Sequence, residues 1–485
     1  MREELLGGKS FSEWFDWVLR EAELYDYGRY PVKGLAVWMP YGFKLRKHVM
    51  DLMRDLLDST GHEEILLPLL IPEDLLAKES EHVRGFEDQV YWVTHGGLEP
   101  LDVKLALRPT SETSLTFMES FWIKSYKQLP KKYYQVVSIF RYETRATRAM
   151  LRVREVTTFK EAHTVHEDFK DTERQVAEAV GIYSRFFDLL GIPYLVSRRP
   201  DWDKFPGAVY TIAFDTLMPD GRALQIGTVH NLGQNFTKVF EVRVQRRDET
   251  VDYAWQTSYG ISERVIASLI STHGDGKGLV LPFRVAPIQV VVVPIPAGGE
   301  EGKREVYARA KEVGEFLRKD GLRTHVDLDE DRTPSEKFAY WELKGVPLRI
   351  DLGPIELREG MATVFRRDTL RKEKVPLNEL PARLRRMGED IDANLSGRAW
   401  RSFRERMATA RELSEFEEAL KRGADIVEVP WCGFRECADH IATTHSLETL
   451  GTPLKVAEEL GRNPDVTCPV CGRKAVTYMR YARKY

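Results

Sequence analysis

Two arginines far apart in the chain have neighbours that suit nucleotide chemistry: Arg141 in Phe140-Arg141-Tyr142-Glu143, and Arg264 in Ser262-Glu263-Arg264. The run 135–143 is β-branched and aromatic. It predicts a strand whose two-residue period puts Arg141 and Glu143 on one face, a cation beside an acceptor. Ser262 reads as a helix N-cap followed by the apolar stripe Val265, Ile266, Leu269 and Ile270, so Arg264 falls in the first helical turn. The helix dipole disfavours a cation there unless an anion binds close by, and a phosphate is attracted by both dipole and guanidinium. A triphosphate ligand would resolve the conflict. Taken singly, an Arg-x-Glu on a strand is commonly a structural ion pair, and a first-turn arginine is commonly just solvated.

These side chains need elements to hold them. Residues 42–60 predict a helix with Leu45, Val49, Leu52, Met53, Leu56 and Leu57 inward, stopping at Gly61, and 64–68 predicts a strand ending in Pro68. From Phe11 to about Leu281, helices and short strands mix without regular βα alternation, which predicts a mixed, largely antiparallel sheet of α+β type. Prolines at 282 and 287 mark a boundary. Strand 288–295, helix 304–319, strand 324–328, helix 334–344 and strand 348–352 then predict a small α/β domain. Beyond about Leu377 the chain is helical and charged, and then carries its four cysteines.

Those cysteines are spaced as Cys432 and Cys437, then Cys468 and Cys471. Four thiolates fill a tetrahedral zinc site with no open position, so the metal would be structural; reduced, metal-free thiols are the alternative. A cytosolic setting argues against disulfides.

The two arginine motifs together resemble motifs 2 and 3 of class II aminoacyl-tRNA synthetases, and 42–68 resembles motif 1. Arg108-Pro109-Thr110-Ser111-Glu112, Lys160-Glu161-Ala162-His163-Thr164, Gln225-Ile226-Gly227-Thr228-Val229-His230, Leu232-Gly233-Gln234-Asn235-Phe236 and Trp341-Glu342-Leu343-Lys344-Gly345-Val346-Pro347 narrow the likeness. They resemble the prolyl-tRNA synthetases, in the archaeal and eukaryotic-like form, over essentially the whole chain. The resemblance implies a class II catalytic domain over 1–283, an α/β anticodon-binding domain over 284–380 and a small α/β zinc-binding domain over 381–485. It implies a homodimer through motif 1, and no separate editing domain between motifs 2 and 3.

The implied reaction activates L-proline with ATP and transfers it to tRNA(Pro). Arg141 would touch the proline carboxylate and the α-phosphate, with Arg152 and Arg264 on the remaining phosphates and adenosine; Arg141 and Arg264 are the catalytic pair. Glu143, Gln225, Thr228 and Ser262 match positions that hold ATP or its Mg2+, although Gln225 could equally be an ordinary polar strand residue. Thr110 and Glu112 match amine-binding positions and His230 a pocket position, with Phe159, Glu161 and Phe205 lining the pocket. Glu342 and Arg349 match readers of the anticodon guanines, chemically apt because carboxylate and guanidinium bind guanine edges. Ile355 departs from the pattern by standing where some relatives carry a basic residue, which leaves Arg371 or Lys372 for the phosphate. The C-terminal tyrosine of such relatives is buried toward the catalytic domain, a role Tyr485 would fill.

The 485 residues are too many for one core, and the net charge of -3 gives no global sign of nucleic-acid binding. Local basic runs exist at Arg366, Arg367, Arg371, Lys372 and Lys374, at Arg383, Arg385 and Arg386, and at Arg480, Arg483 and Lys484; on charge alone a solvated face is the preferred reading of each. The longest apolar run, 288–295, is interrupted by Pro294, so a cytoplasmic protein without a membrane span is expected. A threonyl or glycyl enzyme, or a tRNA-binding paralogue without catalysis, are the competing readings. The paralogue is disfavoured by the presence of both motif arginines.

Overall fold

Helix α1 (Phe11–Glu21) starts on a capping box, in which the Ser10 hydroxyl accepts from the Glu13 amide and the Glu13 carboxylate accepts from the Ser10 amide. The computed structural model describes residue 4 and residues 6–78, 89–454 and 466–485. Helix α2 (Pro40–Asp58) opens two residues before the predicted start, because proline is preset for a first helical position. It buries Leu45, Val49, Met53 and Leu57, with Leu52 and Leu56 half-buried. Gly42 is required where α2 crosses the chain before it, since a Cβ there would lie 2.1 Å from the Leu24 carbonyl oxygen. The strand predicted over 64–68 shrinks to β1 (Glu63–Glu64): the Leu67 amide donates to the Gln135 side chain at 3.0 Å instead of a ladder carbonyl.

Next come α3 (Glu112–Trp122), β2 (Lys131–Phe140), β3 (Glu155–His166) and α4 (Phe169–Leu190), then β4 (Leu195–Arg198), β5 (Tyr210–Leu217), β6 (Ala223–Gly233), β7 (Trp255–Ser262) and α5 (Arg264–His273). Strands β4 to β7 with β3 and β2 pair antiparallel, and β1 adds to β2 in parallel. Against this sheet Trp14, Phe15, Tyr183, Phe186, Phe187, Phe214 and Tyr259 form the main core. Rings of this size, buried, supply most of a domain's hydrophobic stabilisation.

The middle of the chain alternates as its sequence predicts: β8 (Val290–Pro294), α6 (Gly299–Lys319), β9 (Thr324–Val326), α7 (Pro334–Leu343), β10 (Leu348–Leu352), β11 (Met361–Arg366) and β12 (Arg371–Pro376). The order β9-β8-β10-β11-β12 is parallel through β10 and antiparallel after it. Helix α8 (Leu380–Glu405) packs Leu384, Met387, Ile391 and Leu395 into this middle core and Phe403 into the next.

The last elements are β13 (Met407–Thr409), β14 (Ile426–Trp431), α9 (Arg435–His445), β15 (Glu448–Pro453) and β16 (Thr477–Ala482). Strand β15 pairs with β4 through Thr452 opposite Arg198 and Pro453 opposite Ser197. One sheet therefore runs β13-β14-β16-β15-β4-β5-β6-β7-β3-β2-β1 across the first and last parts of the chain. The α+β first part with its mixed, largely antiparallel sheet, the α/β middle and the small α/β end are the architecture expected. No helix of the described residues is long and apolar enough to cross a membrane.

Candidate active site

Strand β2 stops at Phe140, so Arg141 and Glu143 are not on a strand face as their spacing suggested. Arg141 still donates its amide to the Arg154 carbonyl at 2.9 Å, but the Tyr142 amide turns to the Gln89 carbonyl at 2.7 Å and the ladder ends. The Arg141 side chain is fixed instead by Nε and Nη2, each 3.3 Å from the Pro109 carbonyl oxygen. Ser262 closes β7, and Glu263 rather than Ser262 occupies the N-cap of α5. The Glu263 carboxylate is committed to the Thr157 amide (3.2 Å), the Thr157 hydroxyl (2.9 Å) and the Tyr25 hydroxyl (3.3 Å). Arg264 is in the first turn as predicted, with Nε donating to the Leu151 carbonyl at 2.9 Å.

A cavity of about 330 Å³ opens between these elements, and every residue predicted for proline or ATP lines it: Thr110, Glu112, Arg141, Glu143, Arg152, Phe159, Glu161, Phe205, Gln225, Thr228, His230, Ser262 and Arg264. Burial, then the neighbouring charges of Arg141 and Arg152, lowers the Arg264 guanidinium to about 10. Burial lowers Arg141 as well. An anion placed between the three guanidiniums would relieve both the desolvation and the mutual repulsion.

At the other end the cavity is acidic and apolar. The Glu112 carboxylate accepts from the Ser258 hydroxyl at 2.9 Å and from the Thr110 hydroxyl. Phe205 lies with its ring centroid 4.6 Å from that of His230, whose Nδ1 shares a 2.9 Å hydrogen bond with Thr211. Burial, aided by the nearby His163, pushes His230 down to about 3, so it is a neutral wall. Gln225 is exposed to the cavity, its side-chain Oε1 accepting from Arg199 at 3.0 Å, and Arg199 is itself paired with Asp215 at 2.8 Å. Glu161, predicted as a lining residue, has its carboxylate fully engaged from behind by the Ser111 amide (3.2 Å) and hydroxyl (2.5 Å), Gln135 (2.7 Å) and His163 (3.3 Å). Ser111, Gln135, Ser258 and Arg199 were missed by the sequence reading, because their roles arise from contacts between distant strands.

A second cavity of about 900 Å³ adjoins the first through Leu151 and Arg152, and Arg29, Arg145, Arg148, Arg222 and Lys484 line it with Tyr485. The Tyr485 ring lies between Arg148 and Arg222, each 5.5 Å from its centroid, and the hydroxyl donates to Asp220. The last strand thus brings Tyr485 against the turn that carries Arg152. The basic runs read from sequence are otherwise largely spent: Arg367 pairs with Asp275, Lys372 with Asp351, Lys374 with Glu359, Arg385 with Asp320 and Arg480 with Glu428.

Glu342 ends α7 and Arg349 sits on β10, 3.2 Å apart as an ion pair. The Arg349 guanidinium is buried between Phe338 and Phe365, 3.7 and 4.3 Å from their ring centroids, and bonded to Asp351 at 2.7 Å. The other Glu342 oxygen accepts from Lys277 at 2.9 Å. Ile355 is exposed at the start of a short helix.

Cys432 follows β14, Cys437 lies in the first turn of α9, and Cys468 and Cys471 form a turn before β16 in which the Gly472 amide donates to the Cys468 carbonyl at 2.9 Å. The four sulfur atoms lie within 4.8 Å of one another, with Cys471 and Cys432 at 3.6 Å. Tetrahedral Zn–S bonds of about 2.3 Å would place sulfurs about 3.8 Å apart, so the set fits zinc. Burial raises Cys437 and Cys432, whereas the Arg473 amide lowers Cys471 to about 7; a divalent ion is what would let all four ionise together.

The family model for the class II tRNA synthetase core domain (G, H, P, S and T) matches residues 91–273, and the anticodon-binding-domain model matches 289–387. Fold and cavity together are those of the class II tRNA synthetases. The model for the prolyl-tRNA synthetase C-terminal domain matches 413–485. The proline–tRNA ligase of Aeropyrum pernix is 59% identical over 98% of this chain and 97% of its own, and that of Sulfurisphaera tokodaii is 57% identical over 98% of each. A solved prolyl-tRNA synthetase of Giardia lamblia in complex with prolyl-adenylate superposes with a TM-score of 0.93 at 36% identity, covering 98% of both chains. The chain belongs to the prolyl-tRNA synthetase family.

Proposed function

We propose that this chain is a proline–tRNA ligase, which activates L-proline with ATP and transfers it to tRNA(Pro). The observation that carries the reading is a single cavity with Thr110 and Glu112 at one end and Arg141, Arg152 and Arg264 at the other. Proline's ammonium is held by the Glu112 carboxylate and the Thr110 hydroxyl, and its ring lies against Phe159, Phe205 and neutral His230, a pocket too small for bulky side chains. Its carboxylate then points to Arg141.

A proline carboxylate oxygen attacks the α-phosphorus of ATP, the bond from that phosphorus to the bridging oxygen breaks, and pyrophosphate leaves with both bonding electrons. No proton transfer is needed. Arg141 neutralises nucleophile and α-phosphate together, so two anions meet, while Arg264 and Arg152 hold the other phosphates and the adenosine. Ser262, Thr228, Gln225 and Glu143 complete the ATP site, and Glu143 and Gln225 supply the hard oxygen donors that Mg2+ prefers. When bound there, the ion would screen the triphosphate charge. In the second step the terminal ribose hydroxyl of the tRNA attacks the prolyl carbonyl carbon, its proton passes to the departing phosphate, and the bond from the carbonyl carbon to the phosphate oxygen breaks to release AMP.

The second, arginine-lined cavity suits the RNA acceptor end, and Glu342 with Arg349 the anticodon guanines. In this reading residues 1–283, 284–380 and 381–485 are the catalytic, anticodon-binding and zinc domains of a cytoplasmic enzyme. Exposed Leu66, Leu69 and Leu70, in the stretch that follows β1, favour a homodimer through motif 1. Pyrophosphate exchange measured with each amino acid tests the function. Exchange with proline is expected; exchange with threonine or glycine alone, or with none, would overturn it.

A further inference from the structure

The amine-binding turn is held from beneath by a buried network that no role above explains. Glu161 on β3 clamps Ser111 through both its amide and its hydroxyl, which fixes the residue between Thr110 and Glu112. Glu161 is almost completely buried, and the side chains of Ser111, Gln135 and His163 donate to its carboxylate. His163 alone among those donors can carry a charge, its Nε2 lying 3.3 Å from the carboxylate. Arg108, Arg141 and Lys160 act on this carboxylate through space, but His163 is the chargeable group hydrogen-bonded to it, and a buried carboxylate is costly unless its charge is met at close range, so the charge of this imidazole matters to the clamp.

We infer that His163, as an imidazolium, is a positioning residue for the proline site: through Glu161 it holds the Thr110-Ser111-Glu112 turn on which the substrate ammonium docks. The inference rests on the reading of Thr110 and Glu112 as the amine site. The groups facing His163 are Glu112 and Glu119 on α3, Glu161 on its own strand, His230 on β6, Tyr133 opposite on β2 and Ser258 opposite on β7. Three carboxylates thus surround one imidazole. Burial opposes its charge, yet the hydrogen bond to Glu161 and the fields of Glu112, Glu161 and Glu119 together raise it above the ordinary histidine value. Burial opposes the charge of Glu161 too, and the bonds from His163, Ser111 and Gln135 still hold that carboxyl well below the usual range. Burial raises Glu119 to about 7, which reduces the negative charge His163 must balance.

Because His163 is raised, the clamp is complete at low pH and is lost as pH climbs through the His163 value. In the wild-type enzyme the KM for proline should rise along that limb while the KM for ATP stays level, measured by pyrophosphate exchange from about pH 6 to about pH 9. His163→Gln keeps a donor without the charge. It should raise the proline KM roughly tenfold, leave the ATP KM unchanged and erase the inflection. Glu161→Gln should erase the same inflection, and thermal unfolding of both variants shows that they are folded. An inflection that persists in folded His163→Gln, or equal rises in both KM values, would overturn the inference. Failure of the underlying reading is seen separately, as a Glu112→Gln enzyme whose proline KM does not change.

Discussion

Arg367, just past β11, grips Asp275, just past α5, with two parallel hydrogen bonds, Nη1 to Oδ2 at 2.7 Å and Nη2 to Oδ1 at 2.6 Å. Its Nε donates to the Glu342 carbonyl at 2.9 Å, and the Asp275 carbonyl accepts from Trp14 at 2.8 Å. Three regions of the chain meet at this pair, directly after the helix that carries Arg264. Replacing Arg367 by Ala strands a half-exposed carboxylate and should cost about 2 kcal/mol. Calorimetry should show a midpoint lower by several degrees, with Arg367→Lys in between; an unchanged midpoint would make the pair ornamental.

In the proposed mechanism Arg141→Ala removes a charge whose main effect is on the transition state. Turnover in pyrophosphate exchange should fall on the order of a hundredfold or more, with zinc content intact. A near-normal rate would remove Arg141 from the mechanism.

Zinc should be present at about one ion per chain and should stabilise the C-terminal part without taking part in chemistry. In Cys432→Ser the metal should be lost and the unfolding midpoint lowered. Full zinc retention in that variant would refute the four-sulfur site.

Between the two arginine motifs β3, β4, β5, β6 and β7 belong to the main sheet and α4 packs on it, while the stretch between β6 and β7 holds a short helix, Asn235–Val239, and a two-stranded sheet of Arg243–Gln245 with Val251–Tyr253. The enzyme should therefore leave alanyl-tRNA(Pro) unhydrolysed. Rapid deacylation by the purified protein would contradict this.

Tyr485 braces Arg148, whose amide and carbonyl both bond to Arg152. Tyr485→Ala should raise the KM for ATP severalfold while leaving zinc content unchanged. Kinetics identical to wild type would show the contact to be passive.

Much of this was legible in the residues because local rules decided it. The cysteine spacing, the Gly61 stop after α2 and the βα alternation of the middle part depend on neighbours a few positions away. The face shared by Arg141 and Glu143 did not follow, since the ladder ends one residue earlier where the Tyr142 amide finds the Gln89 carbonyl. Glu161 was legible as a site residue but not as a clamp. Its role depends on Ser111 and Gln135, which approach it only after α3 and β2 have packed on β3. The ion pairs of the basic runs were hidden for a similar reason, their partners such as Asp275 and Asp320 lying far away in the chain.

The ladder between β4 and β15 carries one more consequence, for what happens when the chain is cut short. Strand β4 is flanked on its other side by β5, so Thr452 and Pro453 are what close its free edge. A chain ending before β15 would keep every residue of the adenylation cavity yet expose an open row of amides and carbonyls beside it, a template for strand addition by another copy. The C-terminal part thus protects the solubility of the catalytic part, and an isolated catalytic fragment should be prone to self-association even where its active site is intact.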